Sequence, residues 1–354
     1  MPPSHGGNLA WAAAIAGCAP DEILDFSASL NPWGPPDSVI AALQAALPTI
    51  RDYPDPNCRP LVDVIATLHQ LPRDYFLVGN GAAELLTWVG RECGDRQQIY
   101  LITPAFADYR RALAAFAGSI VPIPLAQVQS GFGAIAPSLT PEDAILINNP
   151  HNPTGHLWSR HHLQPLLETG ALVVVDEAFM DFLPPAASES LIAAVPEYPN
   201  LIILRSLTKF YSLAGLRLGY GVSSPERWQR WRLWRDPWSV NRLAIIAGVT
   251  ALGDRPFQDQ TWAWLPPARH AFAAALNAVP DLKVVTESKA NFLLLQATDS
   301  ILLLQTYLLQ QHRILIRDCC SFPELGASYF RVAVRRDSEN QRLLEGLQAY
   351  YQRQ

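Results

Sequence analysis

Seven continuous apolar, β-branched runs mark the first two-thirds of the chain: "YFLVGN" (75–80), "IYLITP" (99–104), "SIVPIPL" (119–125), "AILINNP" (144–150), "LVVVDEAF" (172–179), "LIILRSLT" (201–208) and "LRLGYGVS" (216–223). Several are separated by stretches of helical length with turn residues at their borders, such as "GAAELLTWVGREC" and "FADYRRALAAFAG". Continuous rather than alternating apolar strands, joined by crossovers, predict an α/β fold with a mostly parallel seven-stranded sheet covered on both faces. Ligands of such sheets bind beyond the carboxyl ends of the strands.

The pattern changes after residue 225. "ERWQRWRLWRDPW" places Trp228, Trp231 and Trp234 three apart, on one face of a helix that Pro237 interrupts. This stripe reads as a packing face between domains or subunits. A helical segment to about residue 277, the strands "LKVVTE", "NFLLLQ", "ILIRD" and "YFRVAV", and a closing helix then predict a smaller α+β domain. The expected organisation is an N-terminal arm over 1–30, a large domain over 31–250 and a small domain over 251–354.

Composition narrows the function. The chain has 354 residues, 49% of them apolar and 17% charged, so it folds around a large core. A net charge of −5 without runs of like charge gives no support to binding of nucleic acid or an anionic membrane. Five cysteines without C-x-x-C spacing fit a reducing compartment and argue against a structural metal site. "LAWAAAIAGCA" (9–19) resembles a signal-peptide core, yet no Lys or Arg precedes Arg51, so it reads as a short helix and the expected location is the cytoplasm. No apolar run reaches the length of a membrane span.

Polar motifs stand at the strand ends. "VGNGAAELL" (78–86) is strand, glycine turn and helix; its backbone N–H groups and positive helix end suit a phosphate. Glu84 stands where a dinucleotide fingerprint needs its third glycine, and no acid closes the next strand, which weakens a nicotinamide enzyme. Phe106 in "TPAFADY" follows the next strand and could stack on a flat ring or merely cap a loop. "NNPHNPTG" (148–155) forces a fixed turn that leaves the Asn152 amide free to donate. Asp176 ends a fully apolar strand, a costly place for a carboxylate without a cation or strong donor. Lys209, in "RSLTKFYSLAGLRLGY", follows Ser206 and Thr208 and precedes Arg217. It reads as a snorkelling strand-end lysine, a paired core lysine, or an activated amine nucleophile. Arg331 interrupts "YFRVAV" and offers a planar fork to a carboxylate.

In this order the motifs resemble the fold-type I, aspartate-aminotransferase-like family from about residue 25 onward. The resemblance implies pyridoxal 5′-phosphate as cofactor, with Lys209 as the Schiff-base lysine and Asp176 as partner of the pyridine nitrogen. Asn152 would contact the ring oxygen and Phe106 would stack on the ring. Ser206, Thr208, Arg217 and the backbone of Ala82 and Ala83 would hold the phosphate. It further implies a homodimer with shared active sites, Tyr53 of "RDYPDP" reaching the neighbouring subunit's phosphate, and Arg331 binding the substrate α-carboxylate.

Two branches come close, the histidinol-phosphate aminotransferases and the threonine-phosphate decarboxylases of cobalamin biosynthesis. "HGGNLAWAA", "LDFSASLNPWGPP", "SLTKFYSLAGLRLGY", "PWSVN" and "RDCCSF" look like the decarboxylase branch, and Phe179 stands where the aminotransferases usually carry a tyrosine. The expected substrate is a small phosphorylated amino acid, L-threonine O-3-phosphate. Its phosphate needs a second anion site, for which His5, the Gly6–Gly7 backbone and Arg160 are the candidates. Asn31 is a candidate for positioning the carboxylate. A dehydrogenase would leave Lys209, Asn152 and Asp176 unexplained, and a non-catalytic regulator would have no use for the lysine.

Overall fold

The computed structural model describes residues 5–116 and 118–353. All seven apolar runs join one sheet, in the order Phe76–Asn80, Leu218–Val222, Leu201–Ser206, Leu172–Asp176, Ala144–Asn148, Ile99–Thr103 and Ile120–Pro124. Leu218–Val222 is antiparallel to both neighbours; the other adjacent pairs are parallel. Leu172–Asp176 and Leu201–Ser206, in the middle of the sheet, are buried at every position because helices cover both faces, and each is apolar up to its last one or two residues.

The helix Ala82–Cys93 packs Leu85, Leu86, Val89 and Cys93 onto one sheet face. Trp228 and Trp231, from the helix Pro225–Arg232, complete that layer with no exposed surface. Trp228 and Trp231 therefore pack onto the large sheet, and Trp234 lies half-buried beside them. The polar anchor of this layer is Glu92, which accepts from Trp231 Nε1 at 2.5 Å, Arg227 Nε at 2.9 Å and Arg230 Nη2 at 3.0 Å. The helix stops at Arg232, five residues before Pro237.

The C-terminal region carries a four-stranded antiparallel sheet in the order Arg317–Asp318, Tyr329–Ala333, Phe292–Ala297 and Leu282–Val284. "ILIRD" divides at the buried Ile316. Arg317–Asp318 joins this sheet, whereas Ile314–Leu315 pairs in parallel with Leu24–Asp25 from the N-terminal segment. The helix Leu9–Ala16 packs beside Leu309 and Leu315. No helix among the described residues is long and apolar enough to cross a membrane.

Candidate active site

The strand ends converge on a cavity of about 180 Å³ lined by Lys209, Asp176, Asn152, Phe106, Arg317 and Arg331, among others. Strand register sets the floor. Asn148 lies level with Asp176 on the neighbouring strand, and its Nδ2 donates to the Asp176 carbonyl at 2.8 Å. Asn148 Oδ1 accepts from the Asn152 N–H at 2.7 Å, which ties the turn carrying Asn152 to the sheet.

Lys209 sits in the short helix Leu207–Phe210, one turn beyond the strand Leu201–Ser206. It is deeply enclosed but keeps some surface on the cavity. Among the described residues no side chain forms an ion pair or hydrogen bond with its amine, which removes the paired-core reading. Burial pushes its pKa down to about 8; Arg331 and Arg217 add to the fall, and Asp176 and Asp25 oppose it. The backbone N–H of Asn31 donates to the Lys209 carbonyl at 3.1 Å.

Asp176 is buried, and its Oδ2 accepts from the Tyr109 hydroxyl at 2.6 Å while Oδ1 accepts from Ala178 N at 3.0 Å. Burial raises its pKa, against the pull of those two donors and Lys209. Arg331 donates Nη1 to Asn152 Oδ1 and Nη2 to the Ser27 carbonyl at 3.2 Å, with its guanidinium 4.7 Å over the Phe292 ring. Its buried Nε has no hydrogen-bond partner among the described residues. Phe179 also lines the cavity and meets Phe292 edge-on at 5.0 Å.

Beside the cavity, Gly81 turns the chain with φ 74° into the helix Ala82–Cys93. A Cβ there would lie 2.6 Å from Arg217 Nη2, so the guanidinium lies against the turn. Gly219 is level with Ser206 and with Gly79, and a Cβ on it would meet Ala82 N at 2.6 Å. The Ser206 and Thr208 hydroxyls lie 2.7 Å apart. Ala82, Ala83, Ser206, Thr208 and Arg217 are thus brought to one sheet end. Glu84 accepts from Asn80 N at 2.6 Å and pairs with Arg235, which explains an acid in that turn.

The remaining expectations divide. His5 and Gly6 line the cavity, with the His5 ring 5.6 Å from Phe106; burial lowers the His5 pKa while Asp108 opposes. Gly7 N donates to Ser27 Oγ at 2.8 Å. Arg160 does not belong to the cavity: it is exposed at the start of the helix Arg160–Leu167 and donates to the Ser188 carbonyl beside Glu189. Asn31 does not line the cavity; its amide nitrogen donates to Phe210 O at 3.0 Å and Thr261 Oγ1 at 2.8 Å while Oδ1 accepts from Trp33 N. Tyr53 is 76% exposed, meets the Trp238 ring at a tilt with centroids 4.8 Å apart, and does not line this chain's own cavity. Sequence reasoning missed Tyr109 and Arg317, although "TPAFADY" and "RDCCSF" contain them. Three-residue spacing from Phe106 was a signal for Tyr109; an arginine opening an edge strand was one for Arg317.

The family model "Aminotransferase class I and II" matches residues 21–347, and the chain belongs to that family. Threonine-phosphate decarboxylase of Salmonella typhimurium strain LT2 is 41% identical over 352 residues, covering 97% of this chain and 95% of that protein. Histidinol-phosphate aminotransferase of Symbiobacterium thermophilum is 35% identical, covering 93% and 90%. The crystal structure of L-threonine-O-3-phosphate decarboxylase from Porphyromonas gingivalis superposes with a TM-score of 0.83 at 25% identity, covering 92% of this chain and 99% of that one. The fold is that of the fold-type I aminotransferases, and the cofactor is pyridoxal 5′-phosphate. The site fits that group: an enclosed, unpaired amine, a buried carboxylate held by a tyrosine, and a glycine turn crossed by a guanidinium.

Proposed function

We propose that the chain decarboxylates L-threonine O-3-phosphate to (R)-1-amino-2-propanol O-2-phosphate, a step of cobalamin biosynthesis. The observation that carries this reading is the 41% identity to the Salmonella typhimurium decarboxylase across nearly the whole of both chains. The cavity supports it by presenting two guanidiniums, Arg331 and Arg317, to a substrate with two anionic groups.

Pyridoxal phosphate supplies an electron sink for the bond broken at the substrate Cα. Lys209 would hold it covalently, Asp176 would face the ring nitrogen, Phe106 would cover a ring face, and Asn152 would donate to the ring oxygen. Ala82 N, Ala83 N, Ser206, Thr208 and Arg217 would take its phosphate, with Tyr53 from a second copy of the chain in a homodimer. Arg331 binds the substrate carboxylate in this reading, and its position between Asn152 and Ser27 leaves it little freedom to move. Arg317, with His5 and the Gly6–Gly7 backbone, takes the substrate phosphate. The Lys209 amine, with a pKa of about 8, holds a proton in part near neutral pH and can carry it back to Cα. Phe179 puts an apolar ring where a hydroxyl would otherwise reach the cofactor.

Incubation of the purified holoenzyme with L-threonine O-3-phosphate and mass analysis of the product test the reading. Release of carbon dioxide and an amino-alcohol phosphate, with no keto acid required, is the expected result. Absence of that product, with amino transfer from histidinol phosphate to 2-oxoglutarate, would instead assign the aminotransferase activity that the 35% identity to the Symbiobacterium thermophilum enzyme favours.

A further inference from the structure

Tyr109 belongs to the helix Ala107–Ala114, which begins directly after Phe106. Three residues apart on one helix face, the two rings meet edge-on, 5.6 Å between centroids at 86°. Tyr109 is 2% exposed, and its hydroxyl donates to Asp176 Oδ2 at 2.6 Å, the length of a charge-assisted O–H···O⁻ bond. One buried side chain therefore braces the ring expected over the cofactor face and grips the carboxylate expected at its nitrogen.

We propose that Tyr109 is a positioning residue for the cofactor: its hydroxyl keeps Asp176 ionised and aimed, and so keeps the proton on the ring nitrogen. The inference rests on the assignment of Asp176 to that nitrogen, and not on which Cα bond the enzyme breaks. A donor to a carboxylate stabilises the ionised form over the neutral acid. Without it, burial favours the neutral acid, and the proton shared between carboxylate and ring nitrogen moves toward the carboxylate. The ring then withdraws electrons less strongly. The other charged groups facing Asp176 are Lys209, which supports the ionised form, and Asp108, which opposes it; Arg331 acts on Lys209. Burial and the neighbouring Asp176 charge raise the Tyr109 pKa well above its usual value, so the phenol remains a donor throughout the working range.

The test is a pH titration of the visible absorption band of the bound cofactor in wild-type, Tyr109→Phe and Asp176→Asn holoenzymes. Less withdrawal by the ring makes the imine nitrogen more basic. Tyr109→Phe is expected to raise the midpoint by about one pH unit, a tenfold change in the proton equilibrium, and Asp176→Asn to raise it further. Tyr109→3-fluorotyrosine, which keeps the ring and strengthens the donor, is expected to lower it, and this variant decides the matter if Tyr109→Phe does not fold. An unchanged midpoint in the tyrosine variants beside a shifted one in Asp176→Asn would overturn the role of Tyr109 alone. Unchanged midpoints in all of them would overturn the Asp176 assignment and the proposal with it.

Discussion

Arg331 donates to Asn152 Oδ1 across 179 residues of chain. Only the carbonyl end of an amide accepts from a guanidinium, so this contact fixes which way the Asn152 side chain faces and leaves Nδ2 for a ligand oxygen. A residue expected to serve the cofactor and one expected to serve the substrate are thereby a single unit.

Asn152→Asp should disrupt both roles at once. The new carboxylate would pair with Arg331, compete with the substrate carboxylate and remove the donor to the ring oxygen. The expected outcome is a KM raised about tenfold or more together with weaker cofactor retention, measured by steady-state kinetics and dialysis. Asn152→Ala should weaken retention with a smaller effect on KM.

Lys209 sets a pH dependence. Its pKa of about 8 lies below the ordinary lysine value of 10.5, so neutral amine accumulates as pH rises through about 8. Stopped-flow absorbance should show uptake of pyridoxal phosphate by the apoprotein accelerating to a plateau above that pH. Arg331→Leu removes a charge that depresses the pKa and should move the midpoint upward. A rate that climbs without a plateau toward 10.5 would contradict the assignment.

Arg317 and Arg160 separate a cavity residue from a surface one. Arg317→Ala should raise KM for the phosphorylated substrate at least about tenfold, the scale of a lost charge-assisted contact, and Arg160→Ala should leave it within about twofold. Kinetics on the two purified variants provide the comparison.

Gly81→Ala tests the phosphate turn. A Cβ at φ 74° is strained and would lie 2.6 Å from Arg217 Nη2, forcing the guanidinium off the turn. The variant should release pyridoxal phosphate more readily on dialysis, and its unfolding midpoint should fall, because φ 74° with ψ 160° costs a non-glycine residue about 1–3 kcal/mol.

Glu92→Ala tests the tryptophan layer, far from any chemistry. Its removal strands Arg227, whose side chain is 8% exposed, and deprives Trp231 Nε1 of its acceptor. Loss of one partner from a buried pair costs about 3–5 kcal/mol, to be read from denaturant unfolding.

The central strands were legible because a strand covered on both faces is mostly apolar, and Leu172–Val175 and Leu201–Leu204 are apolar without a break. Asp176 and Lys209 were legible because ionisable groups closing such runs are costly and need a reason. What escaped depended on partners distant in sequence. Tyr109 finds Asp176 67 residues on, Asn31 finds Thr261 230 residues on, and Trp231 finds Glu92 139 residues back. "ILIRD" looked like one strand because nothing within it reveals that Leu24–Asp25 claims its first half. Arg160 lies close in sequence to the Asn152 turn, yet the helix it opens runs along the surface.

Arg331 bonds the Ser27 carbonyl from a strand held between two others in the small sheet, 304 residues further along the chain. During synthesis the large sheet can form while that strand is still inside the ribosome, since its last strand ends at Val222. The cavity cannot. A nascent chain therefore holds Lys209 in an unfinished cavity from the completion of the large sheet at Val222 until the strand Tyr329–Ala333 has been made and brings in Arg331.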